Sequence, residues 1–65
     1  MRIFINDDAH DIEAVTLAAA LDALGFGGRK IATALNGRFV AAPVRQAVKL
    51  AEGDRIEVVA PMQGG

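Results

Sequence analysis

Glu52-Gly53-Asp54-Arg55-Ile56-Glu57-Val58-Val59-Ala60 is the stretch that decides the fold. Glu-Gly-Asp has the polar, conformationally permissive chemistry of a tight turn, and from Arg55 to Ala60 the residues alternate, with Ile56 and Val58 on one face. This is the pattern of a half-buried strand, and Pro61, which has no N–H to donate, ends its regular pairing. At the other end of the chain Arg2 to Asn6 alternates in the same way, with Ile3 and Ile5 on one face and Phe4 on the other. Asn6-Asp7-Asp8 has turn chemistry, and His10 to Val15 reads as a returning strand with Ile12 inward, so that the pair makes a hairpin. Thr16 is the expected N-cap of a helix whose Leu17, Ala20, Leu21 and Leu24 share one face, and Gly25 supplies the left-handed cap at its end. After a loop from Gly25 to Lys30, Ile31 to Leu35 and Arg38 to Ala41 flank Asn36-Gly37, a strong hairpin signal, and Ile31, Thr33 and Leu35 alternate with alanines. Pro43 to Leu50 has no clear period; Val44, Val48 and Leu50 are expected to pin a short turn of helix or an irregular loop to the core. The order predicts an α+β fold in which one mixed sheet covers its apolar face with a single main helix.

Composition narrows what such a domain can do. A chain of 65 residues has room for one small domain and not for a large interior cleft. There is no cysteine, hence no disulfide or thiolate metal site, and stability must come from the 52% of residues that are hydrophobic. No signal-peptide pattern opens the sequence, and the nearly apolar run from Ala14 to Leu21 is far short of the roughly 20 residues of a membrane helix. A soluble, cytoplasmic protein is expected, with neither membrane nor nucleic acid as partner, since the net charge is only −1. The charges are nevertheless segregated. Arg29, Lys30, Arg38, Arg45 and Lys49 are the only charged residues between Phe26 and Leu50, while acidic residues dominate on either side. The basic run is read either as ordinary solvated surface or as a patch that docks an acidic partner.

Familiar catalytic patterns are missing. His10 is the only histidine and there is no serine or cysteine for it to activate, which excludes a nucleophilic triad. Asp7 and Asp8 lack the repeated oxygen-ligand spacing of a calcium loop, and no metal site is expected. The glycines from Gly25 to Gly28 follow a helix and lack the Lys-Ser/Thr ending of a phosphate-binding loop, so they read as a cap and connection. Phe4 and Phe39, if both face away from the helix, would form an apolar patch on the open face of the sheet.

Several features in order resemble the ThiS family, the sulfur carriers of thiamine biosynthesis, over essentially the whole chain. They are the Ile3/Ile5 strand ending at Asn6, Thr16 opening a leucine-bearing helix to Gly25, Ala34-Leu35-Asn36-Gly37, Leu50 through Val59, and Gln63-Gly64-Gly65. The resemblance implies a ubiquitin-like β-grasp domain over residues 1–60, with the first and last strands adjacent and parallel, followed by a flexible C-terminal tail over 61–65. The parallel pairing also agrees with the preference for right-handed crossovers. The resemblance further implies that an E1-like enzyme uses ATP to adenylate the Gly65 carboxylate. A cysteine desulfurase or other persulfide donor then supplies sulfur, and the resulting thiocarboxylate passes it to thiazole synthase. On this reading the chain is a protein cosubstrate and not an enzyme, with no permanently bound cofactor. Gly65 reacts, Gly64 lets the tail thread, and Phe4, Arg38, Phe39, Arg45, Met62 and Gln63 contact partners. The sequence departs from a common family pattern between Ala41 and Leu50, where many members carry Pro-Arg and a tryptophan and this chain has Ala41, Ala42 and Arg45; the departure bears on docking more than on the tail. Sulfur delivery to molybdopterin or another cofactor, a β-grasp binding module and a protein-tagging modifier are the alternatives.

Overall fold

The computed structural model describes residues 1–60; Pro61, Met62, Gln63, Gly64 and Gly65, and with them the expected tail, lie outside the described residues. The elements are β1 (Arg2–Ile5), β2 (Asp8–Asp11), α1 (Leu17–Ala23), β3 (Ala32–Leu35), β4 (Arg38–Val40), a 3-10 helix (Ala42–Ala47) and β5 (Arg55–Val59).

The two alternating strands from opposite ends of the sequence meet at the middle of the sheet, whose spatial order is β2-β1-β5-β3-β4. β1 and β5 run parallel, pairing Phe4 with Arg55 and Ile5 with Ile56, while the other neighbours are antiparallel. Alternation therefore sends Ile3, Ile5 and Ile56 to one face, where they meet Leu17, Ala20 and Leu21 of α1 and are buried with Ile12 and Val40. Val58, Leu24, Phe26, Val48 and Leu50 pack around this cluster. Thr33 is buried among them, and its hydroxyl is satisfied by donating to the Val40 carbonyl at 2.9 Å. No helix among the described residues is long and apolar enough to cross a membrane.

Helix α1 begins and ends as its flanking residues dictate. Thr16 is extended, and its Oγ1 accepts from the Ala19 N–H at 3.1 Å. At the other end Gly25 is left-handed (φ 91°), its N–H donates to Asp22 O, and the Phe26 N–H reaches back to Leu21 O at 2.8 Å. This is a Schellman closure, and it folds Phe26 onto the core.

Three local expectations are corrected. The returning strand is Asp8–Asp11 and not His10 to Val15. Asn6 (φ 47°) and Asp7 (φ 72°) form a two-residue primed turn, so pairing resumes at once with Asp8 opposite Ile5. Ile12 follows the strand, exchanging backbone bonds with Met1 (2.9 and 3.0 Å), and is buried as expected. Val44 does not pin the 3-10 helix; it is 49% exposed, and Val48 and Leu50 make the contact instead. Strand ends are also shorter than expected, β3 starting at Ala32, β4 ending at Val40 and β5 ending at Val59.

An ion pair ties the edge hairpin together on the open face. The Arg2 guanidinium bonds Asp11 through two hydrogen bonds of 3.3 Å, and these, with the attraction between the charges, hold the Asp11 carboxyl below its ordinary 3.8. A carboxyl depressed in the folded state stabilises it above the unfolded value and loses that contribution as pH falls through the folded one. Because both side chains are largely exposed, the effect is small. The melting temperature of Asp11→Asn is expected to lie slightly below the parent's at neutral pH and to converge on it under acid; a gap unchanged down to pH about 2 would rule out the ion pair as its cause.

Candidate functional site

The strand that leads toward the C-terminus is the central one, and two asparagines hold it. Asn36, the first residue of the β3–β4 turn (φ 50°), accepts the Arg55 N–H on its Oδ1 at 2.9 Å and donates from Nδ2 to Asp54 Oδ1 at 3.1 Å. Asn6, the first residue of the β1–β2 turn, accepts the Val58 N–H on Oδ1 at 2.9 Å and donates from Nδ2 to the Val58 carbonyl at 3.1 Å. The turn before β5 is fixed as well. Asp54 Oδ2 accepts the Ala51 N–H at 2.8 Å, and the left-handed Gly53 donates its N–H to Arg2 O at 2.7 Å. Residue 60 therefore leaves the domain from a strand anchored at its start, along both flanks and near its end.

On the open face, opposite the helix, the outward positions of β5 are Arg55, Glu57 and Val59, the last 61% exposed. Phe4 and Phe39 both face this side, as the sequence suggests, but they do not form one patch. β5 and β3 lie between them, a separation of about 14 Å at ordinary strand spacing. Phe4 is half-buried beneath Arg55, whose guanidinium lies 5.3 Å from the ring centroid and 3.5 Å from Asp7 Oδ1. Phe39 is 74% exposed and stands beside Ala34, with Glu57 on the far side of Ala34. The face thus presents two separate aromatic anchors with charge between them, a mixture suited to a partner surface that is itself partly polar.

The basic run does not act as a unit. Arg45 turns inward from the 3-10 helix: its Nε donates to Thr33 Oγ1 at 3.0 Å and its Nη2 to the Ile31 carbonyl at 2.7 Å. It fastens that segment to β3. Arg38, at the start of β4, is exposed and belongs to the helix-side register, paired with Leu35. Arg29 lies beside Phe26, 6.0 Å from its ring. Of the expected partner-contacting residues, Phe4 and Phe39 share a face, Arg38 and Arg45 do not join them, and Met62 and Gln63 lie outside the described residues along with Gly64 and Gly65. Asn6, Asn36 and Arg55 are the residues a reading of the sequence passes over. An asparagine at the close of an alternating run is the only sign of the first two. For Arg55 the sign is its position two residues before the outward Glu57.

A five-stranded mixed sheet with its first and last strands parallel at the centre, closed on one helix, is a ubiquitin-like β-grasp domain. The crystal structure of the thiamine biosynthesis protein ThiS from Geobacter metallireducens has the same fold, with a TM-score of 0.84 at 22% identity over 100% of both chains. The solution NMR structure of a thiamine biosynthesis protein from Geobacter metallireducens superposes with a TM-score of 0.77 at 22% identity, covering 100% of this chain and 88% of that one. The chain belongs to the ThiS family, whose model matches residues 3–65. The family's members are small sulfur carriers of thiamine biosynthesis. Among curated proteins no sequence matches.

Proposed function

We propose that this domain carries sulfur as a thiocarboxylate on Gly65 and delivers it to thiazole synthase. The observation that carries this reading is the family match, which runs through residue 65 and so takes in Gly64 and Gly65. The folded part supports it, because the strand before those residues lies at the centre of the sheet, with a neighbour on each side, and can present an extended segment. Residues 61–65 reach about 17 Å when extended, enough to enter a partner's site while the domain stays outside. Glycine at both final positions leaves the backbone free to adopt whatever angles a narrow passage demands.

The chemistry requires activation, since a carboxylate is a poor electrophile. The Gly65 carboxylate attacks the α-phosphorus of ATP held by an E1-like enzyme and releases pyrophosphate. The terminal sulfur of a persulfide, from a cysteine desulfurase or similar donor, then displaces AMP at the acyl carbon. A second thiol cleaves the S–S bond, leaving the thiocarboxylate. Every catalytic group and the nucleotide belong to the partners, and the chain is consumed and regenerated as a cosubstrate. The test is intact mass after incubation with the activating enzyme, ATP and a persulfide donor. A gain equal to one oxygen-to-sulfur exchange at Gly65 is expected; failure with every competent activating enzyme and donor, or a Gly65 carboxyl joined instead to lysines of other proteins, would overturn the reading.

Docking on this reading uses exposed charge for encounter and the aromatic anchors for contact. Arg38→Glu is expected to slow association with the activating enzyme, most steeply at low ionic strength, because rim charges mainly steer encounter. Arg45 is unsuitable for this test, since its guanidinium is engaged within the domain. An association rate for Arg38→Glu that equals the parent's across the salt series would make the basic run ordinary solvated surface.

A further inference from the structure

We propose that Asn6 is a positioning residue for sulfur loading: its side-chain amide clamps Val58 and so fixes where the C-terminal segment leaves the domain. The assignment rests on the carrier reading above and adds to it a residue 59 positions away from the reacting glycine in sequence.

The clamp follows from how β1 and β5 are aligned. Their parallel ladder pairs only Phe4 with Arg55 and Ile5 with Ile56, after which the Asn6 N–H donates to Ile56 O at 2.9 Å and the chain turns away into β2. β5 continues to Val59 without a strand on that side. Within a strand the N–H and C=O of one residue point to the same edge, and those of Val58 both meet Asn6, so β3 on the opposite edge cannot reach them. The Asn6 amide supplies one donor and one acceptor, the complement a strand would have offered. Its left-handed backbone aims the side chain there, and asparagine is among the few residues with a side chain that adopt this conformation readily. Without the amide, β5 beyond Ile56 would be held on one edge alone, through its pairing with β3 as far as Val59, and its end would fray more often. Each additional residue that must then be ordered in a partner's site lowers the productive fraction about 5- to 30-fold. Docking through the open face would be unaffected.

The experiment compares Asn6→Gly with the parent and with Thr16→Ala. Glycine keeps the positive φ at no steric cost while removing the side chain that carries the amide. Thr16→Ala removes the helix cap and lowers stability without touching β5, so it reports what a purely structural loss does. With the E1-like enzyme, ATP and persulfide donor, Asn6→Gly is expected to lower kcat for thiocarboxylate formation roughly tenfold with KM for the carrier little changed. Thr16→Ala is expected to match the parent in both, and amide exchange at Val58 should accelerate relative to the core amides only in Asn6→Gly. Parental kcat for Asn6→Gly, or an equal loss in Thr16→Ala, overturns the assignment while leaving the carrier reading intact. A parent chain that never gains sulfur removes both, so the two failures are told apart.

Discussion

Deleting Gly65, or adding one residue after it, is expected to abolish sulfur loading while leaving the melting temperature nearly unchanged. The two effects separate because the core and the reacting end occupy different parts of the chain. Among the described residues every buried hydrophobic one lies between Ile3 and Ile56, and the last strand described ends at Val59. Substitutions beyond such features normally alter stability by no more than about 0.5 kcal/mol. Chemistry at the end is far less tolerant, since displacing a reacting atom by about 1 Å costs on the order of a hundredfold in rate. One residue added or removed moves the acyl carbon by about 3.5 Å, beyond what small adjustments recover. Gly64→Val acts differently, placing a β-branched side chain next to the reacting end and narrowing its backbone choices. Intact mass and thermal unfolding, measured on the same preparations, decide the matter. Efficient thiocarboxylate formation on the chain lacking Gly65 would falsify the assigned role of that residue, and a collapse of stability in the same variant would show that the end supports the fold.

The second large effect is on the fold itself. Leu21→Ala is expected to destabilise the domain by about 2 to 5 kcal/mol, through lost burial plus the cavity left behind. Leu21 is 3% exposed and lies in one cluster with Ile3, Ile5, Ile56 and Leu17, so its removal is felt across the central strand pair. So small a domain has only about 5 kcal/mol to lose, and much of the population should unfold at moderate temperature. Sulfur loading would fall in proportion to the folded fraction, unlike the tail variants, which should fail while folded. Urea unfolding measures it directly, and a midpoint within error of the parent's would show that the helix face is not the core.

The sequence reveals the core more fully than the site. Ile3, Ile5 and Ile56 are legible because strand alternation is strict at both ends of the chain, and Leu17, Ala20 and Leu21 because helical spacing is unbroken between a Thr cap and a Gly stop. β2 is harder to bound because Asp8-Ala9-His10-Asp11 contains no large apolar residue; its pairing is imposed by the two-residue turn before it, not by its own pattern. Val44 misleads as a valine in an aperiodic stretch, where only three-dimensional placement distinguishes it from Val48. At the site the difficulty is range. Arg45 reads as one more charge in a basic run, yet its partners lie 12 and 14 residues back, and Asn6 reads as turn chemistry although its amide serves a residue 52 positions on. A one-dimensional pattern carries periodicity well and the destination of a single polar side chain poorly.

The central parallel pair also sets an order of events during synthesis. The residues it joins, such as Ile5 and Ile56, are separated by nearly the whole described chain, so the sheet cannot close while the ribosome still holds the last strand. Each hairpin can form as it emerges, but neither has a second neighbour until β5 slots between them. An unfinished nascent chain consequently offers no stable domain for a partner to recognise. Long-range closure of this kind is slow compared with local helix formation, which makes the arrival of β5 the expected timing step for the newly made protein.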